Sequence, residues 1–221
     1  MKDWSPWGEG RGNGMAVAAQ GPAEVISGAA PGTLFPRGAD LGVLNIFGVD
    51  AVVAYRADTQ EIERRAAAGA AELTDRRVLD LLMNLPLGVA VPVKSLSEAE
   101  RRTLRQLPRG SVSRYDDVVV RQATQPIRID LAVVPGRTWA ATKEKAEWFT
   151  PFCARAVLID GPLRRREDAV MEADFYGVGL LVATGSEVEV VVPPRPFVRR
   201  RYTAATWQLV ESAYRQLSSN R

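Results

Sequence analysis

Three arginine runs carry most of the capacity for chemistry with a partner in this 221-residue chain: Arg101-Arg102 with Arg105 and Arg109, Arg164-Arg165-Arg166, and Arg199-Arg200-Arg201. A guanidinium presents a planar fork of donors that fits two phosphate oxygens, so the chemistry these runs suit is binding to DNA or RNA. Arg101 and Arg105 are four apart and share one helical face. Arg164 to Arg166 stand at an expected helix start, where positive charge opposes the dipole and invites an anion, although Glu167 and Asp168 follow at once. A bland alternative stands beside each run. Lysine occurs only at Lys2, Lys94, Lys143 and Lys145, so the arginine excess also reads as the codon bias of a GC-rich bacterial genome spread over solvated surface.

The chain has no histidine. That removes the usual zinc ligands and the usual base of serine and cysteine hydrolases, and confines acid–base or metal chemistry to Asp, Glu, Lys, Tyr and Cys. Oxygen-ligated Mg²⁺ or Mn²⁺ stays open. The acids of interest are Asp116, Asp117 and Asp130, for which the plain alternatives are an ordinary turn at Asp116-Asp117 and a helix cap or arginine partner for Asp130. Cys153 is the single cysteine, so no intramolecular disulfide forms, and its place before an apolar run marks it as a small core residue rather than a nucleophile.

The elements that must position these residues start near Gly42. Residues 1–41 are rich in glycine and poor in apolar periodicity, which predicts a flexible arm, with Trp4 and Trp7 hinting that it docks on something. Val43 to Phe47 and Val52 to Tyr55 flank Gly48-Val49-Asp50 as a hairpin. Asp58 and Glu61 have capping-box spacing before a helix to Leu73, and Thr74 is placed to cap a second helix with Val78, Leu81, Leu82 and Leu85 on one face. Val89 to Val93 is extended, Ser97 and Glu100 form another capping box before a helix to Leu107, and Ser111 to Tyr115 with Val118 to Gln122 read as a hairpin.

From Ile127 to Val192 the pattern is strand, helix, strand, helix, strand, closed by an antiparallel edge strand. Continuous apolar runs such as Ala156-Val157-Leu158-Ile159 mark buried parallel strands. The expected fold class is α/β (α+β overall): a mixed sheet with a β-α-β-α-β crossover unit at 127–192, preceded by a smaller region. The expected organisation is an arm at 1–41, a helical and hairpin region at 42–122, and an α/β core at 123–221 ending in a helix with Trp207, Val210, Tyr214 and Leu217 in a stripe. Trp139 and Trp148 are nine apart in one helix and fall on opposite faces, so one is core and the other meets a partner or the tail.

Helix, strand, helix and hairpin in the 42–122 region resemble a winged-helix DNA-binding module, with one helix where that module has two between its first strand and its wing. A hairpin leading into strand-helix-strand-helix-strand resembles the restriction-endonuclease-like nuclease core, over about residues 95 to 192. In that superfamily an aspartate on one central strand and an Asp/Glu-x-Lys on the next hold Mg²⁺, and the lysine positions the attacking water. The resemblance implies Asp117 and Asp130 as the metal carboxylates. Ala132 stands where the lysine belongs, and Lys143 or Lys145 on the following helix would replace it.

The missing lysine makes a degenerate, non-catalytic core that binds nucleic acid the leading expectation, with no cofactor. A Mg²⁺-dependent nuclease using Asp117, Asp130 and Lys143 or Lys145 is the rival enzyme reading. A third is a structural subunit that self-associates or meets a protein partner through residues 1–40 and the C-terminal helix. No run is long and apolar enough for a membrane span, and the N-terminus lacks the apolar core of a signal peptide, so a cytoplasmic location without membrane partners is expected.

Overall fold

The computed structural model describes residues 26, 34–185 and 187–219. Among the described residues, nine strands form two sheets. The larger contains β1 (Asp40–Ile46), β2 (Val49–Ala57), β6 (Ile127–Gly136), β7 (Ala154–Asp160), β8 (Gly179–Thr184) and β9 (Glu187–Val192), in the order β1-β2-β6-β7-β8-β9. Strands β6, β7 and β8 are parallel, and the other neighbours are antiparallel. Helices α4 (Trp139–Glu147) and α5 (Arg166–Tyr176) make the two crossovers, so the expected α/β crossover unit is present. Its hairpin is not the expected one. The hairpin beside β6 is β1–β2, from the region expected to precede the core, so the large sheet takes strands from both sides of the 122/123 boundary.

The smaller sheet has the order β3-β5-β4, from Ala90–Pro92, Val118–Arg121 and Val112–Tyr115. Helices α2 (Arg76–Asn84) and α3 (Glu98–Arg105) lie with it, and Leu81, Leu85, Leu96, Leu104 and Val119 form its core. A helix, a strand, a helix and a hairpin follow one another here, and the last strand of the hairpin, β5, returns beside β3. The other side of α2 packs Val78, Leu79 and Leu82 on Trp207 of α6 (Ala204–Ser219). Because α6 also lies on the large sheet, with Leu209, Val210, Ala213 and Leu217 in its core, the two regions share one helix. The C-terminal apolar stripe is thus buried within the chain.

Both faces of the large sheet are buried. One carries Val53, Ile129, Val134, Val157 and Leu180 beneath α4, α5 and α6. The other carries Val52, Leu131, Val133, Leu158 and Leu181, and Ile26 and Leu34 pack on it. Those two residues belong to the stretch read as a flexible arm, and their burial corrects that reading at the two positions; Trp4, Trp7 and the rest of residues 1–25 and 27–33 lie outside the described residues. Among the described residues, no helix is long and apolar enough to cross a membrane.

Local chemistry explains where the helices start and stop. In α1 (Thr59–Ala68) the Asp58 carboxylate accepts the Glu61 amide at 3.0 Å, but the expected capping box is only half made, because the Glu61 side chain turns inward. The helix stops at Gly69, which takes left-handed φ 56°, and does not run to Leu73. Asp75, not Thr74, caps α2. Ser97 and Glu100 complete the expected box on α3.

Glu61 turns inward to meet arginine. It accepts Arg64 Nε at 2.6 Å and Arg65 Nε at 2.7 Å, while both Arg65 Nη groups grip Glu211 of α6 at 2.7 and 2.8 Å. Arg65 also donates to Thr124 O at 2.7 Å, and Trp207 Nε1 donates to Glu211 at 2.8 Å. Burial works to raise the Glu61 pKa, yet the hydrogen bonds from Arg64 and Arg65, the Thr124 amide and the Arg65 charge outweigh it and hold the carboxyl below its ordinary value. Removing one member of such a network strands a buried charge. Arg65→Met should therefore lower unfolding free energy by about 3–5 kcal/mol in urea titrations, and a loss under about 1 kcal/mol would contradict the assigned role.

Candidate nucleic-acid interface

The residues named for metal chemistry do not converge. Asp117 lies in the β4–β5 turn, next to Asp116 in a left-handed conformation at φ 45°, on the small sheet. Asp130 lies on the large one. The strand beside it is β2, whose acid Asp50 is exposed, accepts Asn45 Nδ2 at 2.7 Å, and stands at the end of β2 remote from Asp130. Lys143 donates to Glu172 at 2.9 Å and lies 4.4 Å from the centre of the Tyr176 ring. Lys145 is exposed. Among the described residues, no group of three or more His, Cys, Asp and Glu is placed to hold a metal. Asp117 and Asp130 thus belong to different sheets: the hairpin preceding β6 in sequence is part of the small sheet, and β6 pairs with β2.

Asp130 is engaged otherwise. Ala54 and Tyr55 of β2 pair with Leu131 and Ile129, so Asp130 is the extra residue of a β-bulge. The bulge reverses the alternation, which is why Ile127 and Ile129 share a face with Ala132 and Val134. Arg56 grips the Asp130 carboxylate with Nε at 2.7 Å and Nη2 at 2.8 Å, and Arg128 Nε adds a contact at 3.0 Å. The side chain of Asp130 is 7% exposed, against 42% for Arg56 and 64% for Arg128. One carboxylate thus holds two guanidiniums and leaves a net positive charge facing solvent.

The arginine runs fall in three settings. On α3, Arg102 pairs with Glu98 at 2.7 Å, whereas the exposed side chains of Arg101, Arg105 and, just beyond the helix, Arg109 have no ion-pair partner among the described residues. The following hairpin carries Tyr115, Asp116 and Asp117 at its tip, and those acids repel phosphate there. Arg164 to Arg166 do not act as a trio: Arg165 pairs with Asp168 at 2.6 Å and Arg166 with Glu189 at 2.5 Å. Arg164 and Arg165 edge a cleft of about 810 Å³ at the C-terminal ends of β6 and β7, which Asp160, Asp168 and Glu172 also line. Arg199 is partly buried, donates to Phe152 O at 3.2 Å and sits over the Phe197 and Tyr202 rings. Arg200 and Arg201 are exposed.

A second cleft, about 920 Å³, opens at the seam between the two sheets, with Arg56, Arg121, Arg128, Gln125 and Tyr202 around it and Trp207 beneath. Arg121 donates to Leu82 O at 2.7 Å, Leu85 O at 3.2 Å and Ala123 O at 2.9 Å, and stacks 4.7 Å from the Trp207 ring centre. Burial lowers its pKa, with the charge of Glu61 opposing. None of Arg56, Arg121, Arg128 and Tyr202 stands out from composition. The alternation Arg128-x-Asp130 on a strand is the one local sign, because positions i and i+2 share a face.

Of the two tryptophans, Trp139 is buried and donates to Glu172 at 2.9 Å, while Trp148 is 59% exposed and touches the Phe47 ring. No family model, curated protein or solved structure matches this chain.

Cys153 is buried, and burial pushes its thiol up to about 12, against the opposing charge of Arg199. An unfolded thiol ionises near 8.5, so above that pH the unfolded chain releases a proton that the folded chain keeps. The stability Cys153 contributes is complete below about 8.5 and falls by up to about 1.4 kcal/mol per pH unit as pH rises toward the folded value. Urea midpoints of the wild type should fall more steeply than those of Cys153→Ala between about pH 9 and 11. Parallel curves would mean that the thiol ionises freely in the folded state.

Proposed function

We propose that this chain binds nucleic acid through the exposed face of α3 and does not cleave it. The observation that carries the reading is the set Arg101, Arg105 and Arg109, exposed and without acidic partners in the described structure, on and after the helix that precedes the hairpin. Two guanidiniums one helical turn apart match the spacing needed to follow a phosphate backbone, and the acids of the hairpin tip confine contact to the helix side. The winged-helix comparison supports the same element as the contacting one. Engagement of Asp130 by Arg56 and Arg128, with Asp117 on the other sheet, supports binding over the Mg²⁺-dependent nuclease reading.

Phosphate contacts release counterions, so affinity for duplex DNA should fall linearly in log–log plots against salt. Replacing Arg101 and Arg105 together by Ala should flatten that slope by about 1.8. Fluorescence anisotropy with a labelled duplex measures it, and the same duplex incubated with Mg²⁺ should stay intact. An unchanged slope, or Mg²⁺-dependent cleavage lost in Asp130→Asn, would overturn the proposal.

A further inference from the structure

The seam cleft is not used by the α3 surface. Its chemistry has two halves. One is the Arg56–Asp130–Arg128 cluster, where a single carboxylate with little exposure leaves two partly exposed guanidiniums with one positive charge in excess. The other is Tyr202, 67% exposed, with Arg199 over its ring at 5.4 Å. Arg121 joins them at the wall, with its Nε and Nη1 committed to backbone carbonyls. The remaining acid at the rim, Asp58, is occupied in capping α1. A cleft of about 920 Å³ lies within the range of small-ligand sites, roughly 300–1,000 Å³, and suits a nucleotide unit.

We infer that this cleft takes a single-stranded segment of nucleic acid, with phosphate against Arg56 and Arg128 and a base stacked on Tyr202. An exposed aromatic beside two guanidiniums that share one carboxylate is a combination that holds unpaired bases, since stacking needs a free π-face and a duplex has none to offer along its length. The bulge supplies the geometry: it turns Asp130 toward the two arginines and so fixes guanidiniums that would otherwise be mobile. Gln125 at the rim adds an amide that can reach a base edge. This inference rests on the nucleic-acid reading but names a different surface of the chain.

The test uses the full chain with short labelled oligo-dT, oligo-U and a duplex, followed by anisotropy at one salt concentration. Tyr202→Ala and Arg128→Ala should each weaken binding of the tighter single strand by about tenfold, with duplex affinity changed less than about twofold. Tyr202→Phe should retain single-strand binding, because the ring and not the hydroxyl does the stacking. Arg101→Ala with Arg105→Ala should show the reverse pattern, weakening duplex more than single strand. Both cleft residues are exposed, and thermal melts of the variants should match the wild type. Single-strand affinity unchanged in Tyr202→Ala and Arg128→Ala, or lost equally for duplex, overturns the inference and leaves the α3 proposal standing. Absence of binding to every probe removes both.

Discussion

The arrangement depends on a buried charge network, Glu61 and Arg65 of α1 with Glu211 of α6. Arg65 alone reaches its own helix, the C-terminal helix and the Thr124 carbonyl just before β6. Glu211 is 1% exposed, so its charge is tolerable only while Arg65 grips both oxygens and Trp207 donates to one of them. That same Trp207 stacks under Arg121 and packs against α2. The small sheet is thereby held to the large one by a side-chain chain that runs from charge to ring to charge, and the seam cleft keeps its shape for the same reason.

A second constraint acts at Asp130. A carboxylate in a central strand, with apolar neighbours on both sides, needs partners, and here a bulge aims it at two guanidiniums from β2 and from its own strand. This placement satisfies the acid by committing both carboxylate oxygens to guanidiniums. It also converts the end of the sheet into a cationic surface.

Much of the fold was legible in the residues themselves. Continuous apolar runs marked β7 and β8, capping pairs marked α3, and Gly177 marked the end of α5, where it takes φ 66°. Strand neighbours were not legible, because a hairpin adjacent in sequence competes with one that returns from 70 residues earlier, and local pattern carries no information on which is chosen. The inward turn of Glu61 was hidden for a similar reason: its spacing from Asp58 fits a capping box, while Arg65, which draws it inward, is itself fixed by Glu211 from the far end of the chain. Of the candidate site, the α3 arginines were visible as a period-four stripe. Arg56, Arg121, Arg128 and Tyr202 were not, since they come together only through the seam.

The claim that a nucleic acid meets the chain at α3 and the seam, and not at the cleft edged by Arg164 and Arg165, is tested most directly by hydrogen–deuterium exchange with and without saturating oligonucleotide. Slowed exchange across 98–109 and 199–207, with 164–176 unchanged, is the predicted result. Protection confined to 164–176, or no change in any segment despite measured binding, would contradict it.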